Sequence, residues 1–316
     1  MNVRAAEILL AAVISARATS FMFSKLLLVS MGPFTLLGIR FLIAFALLAL
    51  IFHKKLARMN KRTFLFGFVL GLAFFATMAF ELKALVSTDT SRVSFLENTA
   101  IVLVPLGEAL IAKKLPSKRA FASALIALAG VGLLTLNGTG SSISSGEFLA
   151  IGAALAYTAA LMFTARFSKQ EDALVMGILQ VGWIGAFGLA AAFLVETPVL
   201  PAGPLEWTYL AVLIVVCTGF GFTLQPVAQR GLTAGKASLM CAISPVVAAI
   251  LGAVFLGETI STPGLCGLAL ILSSIVLSSL GNPSAPAAAT AQEPSDASSF
   301  TATQVASDKA LVRSAS

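Results

Sequence analysis

Apolar stretches, each about as long as a bilayer crossing, follow one another through residues 7–281 with only short polar gaps between them. A helix rises about 1.5 Å per residue, so about twenty residues cross a hydrocarbon layer of about 30 Å. Ten spans are predicted, at 7–29, 33–52, 64–82, 92–112, 120–137, 147–167, 173–195, 206–226, 237–256 and 264–281. One buried core cannot absorb so many apolar runs. The composition agrees: 58% of the 316 residues are hydrophobic and 11% are charged, against about 25% charged in a soluble domain. Hydrocarbon offers the backbone no water, so each span must satisfy its own amides, and helices joined by short loops do that. The expected fold is an all-α integral membrane protein with ten transmembrane helices. Turn residues punctuate the runs at Gly32-Pro33, Lys54 to Arg62, Asn137 to Gly146 and Pro198 to Pro204.

A net charge of +7 would suit nucleic acid if it lay on one face. It lies instead between the apolar runs, which is a pattern of membrane topology, and no nucleic-acid partner is expected. With the N-terminus cytoplasmic, the inner segments hold Arg4; Lys54, Lys55, Arg58, Lys61 and Arg62; Lys113, Lys114, Lys118 and Arg119; Arg166 and Lys169; Arg230 and Lys236; and Lys309 and Arg313. These are 16 of the 21 basic residues, and the outer loops 138–146, 196–205 and 257–263 carry none. Positive loops stay inside, so both termini are expected in the cytoplasm of a cell with this protein in its inner membrane. Arg4 ahead of an apolar run has the look of a signal peptide, but the run continues to about Val29 and reads as an uncleaved first span. Cys217, Cys241 and Cys266 lie inside spans without metal-ligand spacing and read as small packing residues.

The stretch Gly235 to Glu258 has an echo 144 positions earlier, from Ser91 to Lys114. Arg92 falls on Lys236, Ser94 on Ser238, Val102 on Val246 and Ala109 on Ala253. Self-similarity of this kind predicts two copies of one five-helix unit, at 1–140 and 141–281. Five is odd, so the second copy enters the membrane from the other side and the repeats are inverted. The aligned ends fit: Lys113-Lys114 closes the fourth span inside, and Gly257-Glu258 closes the ninth outside. Residues 282–316 turn to Ala, Ser, Thr and Pro and are expected to form a disordered cytoplasmic tail.

Several pieces carry a family resemblance. They are Phe21-Met22-Phe23-Ser24-Lys25 ending the first span, Arg40-Phe41-Leu42-Ile43-Ala44 in the second, and Pro245 to Gly257-Glu258. With the basic loop after the second span and the five-plus-five layout, they resemble the drug/metabolite transporter superfamily, in its ten-helix EamA-like branch. The resemblance covers about residues 5–281. It implies export or exchange of small metabolites by alternating access, without ATP hydrolysis. The chain departs from the family where Arg17-Ala18-Thr19 replaces a tryptophan common in the first span, and where the first copy's proline lies one turn away, at Pro105.

Ionisable residues inside spans are the informative ones, since each costs about 2.5–3.5 kcal/mol at the bilayer centre. Arg17 lies near the midplane of the first span, and Arg40 about a third of the way into the second. Glu81 and Lys83 lie toward the outer end of the third. Glu97, beside Asn98, lies about 7–8 Å into the fourth. With Lys25, the charged ones among these cluster in the outer half of the first repeat. As a polar cavity, Glu97 would bind a cation, an amine or a coupling proton, and Arg17 or Arg40 a carboxylate. Alternatively, Glu97 pairs structurally with Arg40 or Lys25, and Glu81 and Lys83 snorkel to the interface. In the second repeat Tyr157 aligns with Arg17 and would face it, an arrangement suited to an amphoteric solute. Trp183 is a further candidate, though such a residue is more often packing, and Tyr157, Thr158, Gln180, Thr223 and Gln225 are embedded neutral polar residues. Pro105 and Pro245 can kink their helices near the centre. Gly67 and Gly71 form a close-packing GxxxG.

No enzyme is expected. The single histidine, His53, is in a basic loop, and no phosphate cradle, metal-ligand spacing or nucleophile–base set occurs. No cofactor or metal is implied. The expected function is secondary active export of a small organic metabolite, first an amino acid or related amphoteric solute, with protons as a candidate coupling ion. The alternatives are a cationic drug or dye exporter centred on Glu97, or a channel or lipid-handling protein whose charges line a water path.

Overall fold

In the computed structural model, residues 2–88, 90–113, 116–135, 144–247, 250 and 261–279 are described. Gly257-Glu258, most of the Asn137–Gly146 loop and the tail lie outside the described residues. Every regular element among the described residues is a helix: α1 (Val3–Leu27), α2 (Pro33–Ile51), α3 (Lys61–Ser87), α4 (Val93–Ala112), α5 (Lys118–Thr135), α6 (Ser145–Phe167), α7 (Ala173–Val195), α8 (Pro204–Gln229), α9 (Ala234–Val247) and α10 (Thr262–Ser279), with a single four-residue turn of helix, His53–Leu56, after α2. Of these, α1, α2, α3, α4, α6, α7 and α8 are long and apolar enough to cross a membrane. This is a multi-pass helical membrane protein.

The helices start where their sequence offers a cap. Asn2 accepts the Ala5 N–H at 2.8 Å and Asn60 accepts the Thr63 N–H at 2.6 Å. Ser144 and Glu147 form a reciprocal capping box, and Asp172 takes two N–H groups of α7. α1 and α3 therefore begin several residues before the apolar windows that announce them, because helix termini follow caps rather than the edge of the hydrocarbon.

α2 and α7 pack antiparallel through small residues: Gly38 meets Leu189, Gly185 meets Leu42, and Gly182 meets the Phe45 ring. At the end of this pair, the Glu196 carboxylate accepts the N–H groups of Phe34 and Thr35 at 2.9 and 2.8 Å, satisfying the start of α2. α3 lies antiparallel to α6, with Phe66 stacked on Phe167 and Phe80 against Gly152. It lies parallel to α7, where Gly67 and Gly71 admit Leu179 and Trp183. α1 runs antiparallel to α8, from Phe23 beside Tyr209 to Arg17 beside Gln225. α4 and α9, and α5 and α10, are antiparallel as well, through Glu108 to Gly235 and through Gly130 to Gly267.

Three interior helices depart from regular α geometry. α4 breaks at Thr99, whose N–H reaches Leu96 O at 3.1 Å while its own carbonyl accepts the Val102 N–H at 2.9 Å. α9 breaks at Cys241-Ala242, four residues before Pro245, whose ring removes the donor that the Cys241 carbonyl would use. In α8, Leu213–Phe222 is a π-helix. Pro226 follows it, so Phe222 O lacks its i+4 donor, and the Gln180 side-chain amide supplies one at 2.6 Å.

Candidate functional site

Six helices turn residues toward one internal cavity. α1 supplies Ile14, Arg17, Ser20 and Phe21; α3 supplies Met78 and Glu81; α4 supplies Glu97 and Asn98. Tyr157 of α6, Phe222 of α8, and Cys241 and Ser244 of α9 complete the wall. The spacing of three to four along α1 and α3 puts each set on one helix face. The breaks in α4 and α9 fall beside Asn98 and at Cys241, so both interruptions occur at the cavity wall.

Arg17 is held by neutral partners. Its Nη1 donates to Gln225 Oε1 at 2.5 Å and to Tyr157 Oη at 3.3 Å. Its guanidinium lies 4.1 Å over the Phe222 ring and 5.5 Å from the Tyr157 ring centre. A half-buried cation over these aromatic faces is favoured by the ring quadrupoles and remains available to an arriving anion. Tyr157 Oη also meets Cys241 Sγ at 3.2 Å.

Opposite these lie two acids. Glu81 is 3% exposed and Glu97 5% exposed. Both carboxyl side chains line the cavity. Glu97 Oε2 is buried without a hydrogen-bond partner. Asn98 turns its amide back to Ser94 O at 2.8 Å.

The cavity brings together Glu97, Arg17, Asn98, Glu81 and Tyr157, and it does not include Arg40 or Trp183. Arg40 is fully buried behind the wall, giving Nε to Thr218 Oγ1 at 2.6 Å and Nη1 to Ser20 Oγ at 2.9 Å. Trp183 packs on α3, with ring centres 5.6 and 5.0 Å from Phe64 and Phe68, where the absent side chain of Gly71 leaves it room. The alternative pairing of Glu97 with Arg40 or Lys25 is not found among the described residues. Lys25 Nζ donates to the carbonyls of Leu85 and Thr88 instead. Lys83 is exposed, its ammonium 5.1 Å from the Phe34 ring. Phe222 and Cys241 line the cavity and Gln225 bonds Arg17 beside it; in the sequence Gln225 stands out only as an embedded polar residue, Cys241 only as a packing residue, and Phe222 not at all.

The cavity volume is about 40 Å³, room for about three waters. Toward the basic-loop end, Glu7 pairs with Lys236, and Glu108 Oε2 accepts the Gly235 N–H at 3.0 Å. There Glu171 accepts from Asn60 at 3.0 Å and from Thr63 Oγ1 at 2.8 Å, and approaches Arg62 Nε at 3.6 Å.

The fold and site are those of a multi-pass membrane protein with charged groups lining an internal cavity. Comparison with known proteins gives the family: the EamA-like transporter family model matches residues 5–136 and again 144–280, and the chain belongs to that family. It is 27% identical over 267 residues to an uncharacterized transporter of Archaeoglobus fulgidus, covering 83% of this chain and 82% of that one. A solved crystal structure shares the fold with a TM-score of 0.72 at 18% identity, covering 87% of this chain and 98% of its own.

Proposed function

We propose that this protein is a secondary active transporter that exports a small amphoteric metabolite, an amino acid or a close relative, across the inner membrane by alternating access. The observation that carries the reading is the convergence of a cation, Arg17, and two acids, Glu81 and Glu97, on one cavity. A zwitterion presents the opposite charges: its carboxylate would meet Arg17 and Tyr157, and its ammonium the acids. In a water-poor site both contacts are stronger than in solution.

The inverted repeat, with units 1–140 and 141–281, supplies the machinery. Its support is directional: α2 with α7, α4 with α9, and α5 with α10 are the equated helices, and each pair runs antiparallel in contact. The contact of α1 with α8 has its counterpart in that of α3 with α6. The cavity reaches from Arg17 to Phe21 and from Met78 to Glu81, toward the end where Lys25 meets Leu85. The contacts at the basic-loop end close the opposite side. With both termini cytoplasmic, this conformation is shut inward and contracted, and it must widen to take a solute.

Counterflow tests the reading. In proteoliposomes loaded with unlabelled amino acids, uptake of the labelled mixture should accelerate, and Arg17→Ala should reduce it by tenfold or more, about 1.4 kcal/mol of binding. Equal rates with and without internal solute would reject a carrier.

A further inference from the structure

We propose that Arg40 is a positioning residue that makes Ser20 a second anchor for the carboxylate of the solute, so that one carboxylate oxygen meets Arg17 and the other the Ser20 hydroxyl. This rests on the transport reading above and names the residues by which the cavity selects a carboxylate. Arg17 and Ser20 stand three residues apart on α1 and both line the cavity, so they share one helix face. A carboxylate offers two acceptor oxygens, and two neighbouring donors can serve both.

Arg40 fixes what Ser20 can do. Its Nη1 donates to Ser20 Oγ at 2.9 Å, and its Nε donates to Thr218 Oγ1 at 2.6 Å, in the π-helical stretch of α8. Held at two points, the guanidinium stays behind Ser20. A hydroxyl accepting from a cation still has one hydrogen to give. The Ala16 carbonyl, one turn back along α1, is taken by Thr19 Oγ1 at 2.8 Å and by Cys217 Sγ at 3.2 Å. The open side of Ser20 is the cavity. The cation behind it polarises the O–H bond and strengthens its hold on an anion.

The charge of Arg40 is not neutralised elsewhere. The side chain is 0% exposed, no carboxylate pairs with it among the described residues, and its Nη2 has no partner. The Phe222 ring, itself in the cavity wall, lies 4.1 Å from the Arg17 guanidinium and 5.9 Å from that of Arg40. Two cations thus stand about one ring, hydrogen-bonded only to neutral groups. A charge held out of water is costly until an opposite charge joins it, and an arriving carboxylate supplies the anion that both lack.

The detergent-solubilised full-length chain provides the test. The probe is a labelled equimolar mixture of the amino acids with uncharged side chains, displaced by the same acids unlabelled or by their α-amides. The acids should displace it at concentrations about a hundredfold or more below the amides, about tenfold for each charge-assisted hydrogen bond. Ser20→Ala should lower that ratio by about tenfold. Arg40→Met should do the same, and the double variant should fall no further than Ser20→Ala, because Arg40 acts through Ser20. If Arg40→Met does not fold, Thr218→Val, which frees Nε, should lower the ratio in its place. An unchanged ratio in Ser20→Ala, or further loss in the double variant, overturns the proposal. A purely structural tie among α1, α2 and α8 would change stability and leave the ratio alone. Counterflow with the same amino acids keeps the two readings apart. Counterflow with an unchanged ratio in Ser20→Ala rejects the anchor and keeps the carrier. A ratio that falls, without counterflow, does the reverse, and the absence of both binding and counterflow rejects both.

Discussion

At the scale of single residues, the chain uses carboxylates in two ways. Glu81 and Glu97 are taken out of water beside a cavity. Glu171, Glu196 and Glu108 instead tie helix starts together at the two ends of the molecule. Hydrogen bonds from Asn60 and Thr63, with a smaller contribution from Arg62, hold the Glu171 carboxyl below its ordinary value. A carboxyl depressed in the folded state stabilises it above the unfolded-state pKa, and that contribution disappears as pH falls through the lowered folded value. Glu171→Gln should therefore lower thermal stability at neutral pH by an amount within about 1 kcal/mol, the range of surface pairs. The difference should close in acid, and melting curves of detergent-solubilised protein from pH 7 to pH 3 would read it. The site was partly legible at this scale. Arg17 and Tyr157 were aligned by the repeat and do meet. Glu81 and Glu97, both placed in the outer half of the first repeat, line one cavity. Arg40 was not legible, because charge and depth say nothing of which side of the helix a residue occupies, and its guanidinium turns toward Ser20 and Thr218 rather than the cavity.

At the scale of elements, backbone approach governs the packing. A methyl group on Gly177 would come 2.0 Å from the Thr223 carbonyl oxygen of α8, and one on Gly152 only 3.4 Å from the Phe80 ring. The first contact is against backbone that cannot yield; the second is ordinary van der Waals distance. Gly177→Ala should thus destabilise the protein by at least about 1–3 kcal/mol, and Gly152→Ala should leave it nearly unchanged, as thermal unfolding would report. The helices themselves were legible from apolar runs of about 20 residues, and the GxxxG at Gly67 and Gly71 marks a real close approach to α7. The breaks were half legible. Pro245 announces the interruption at Cys241, but α4 breaks at Thr99, six residues before Pro105, where side-chain bonding by Thr99 to Leu96 O at 2.6 Å competes with the helix.

At the scale of the whole molecule, the direction of each span is the testable quantity. Asn60 and Ser144 are at opposite ends of α3, since Thr88, near its far end, bonds Ser144 at 3.2 Å. The helix between them is 27 residues long, about 40 Å. Of single cysteines placed at residues 60 and 144, in a background without Cys217, Cys241 and Cys266, a membrane-impermeant thiol reagent should label one in intact cells and the other only in inside-out vesicles. Labelling from one side would dismantle the inverted arrangement. The inverted arrangement is a proposal drawn from loop charge and an odd helix count, which are properties of the chain as a line. The π-helical stretch was not legible, because no periodicity of apolar residues distinguishes it within a uniformly apolar span.

The π-helical stretch gives α8 a second setting. Its wide turns hold more residues than α turns would. Tightening one of them would rotate everything downstream by about 100°, one residue's share of a helical turn. Thr223–Gln229 would swing while Pro204–Val212 kept its place, and Gln225 would be carried off Arg17. The guanidinium would then be left with fewer ties on the protein side, so a winding change in one cavity-lining helix would free the cation at the centre.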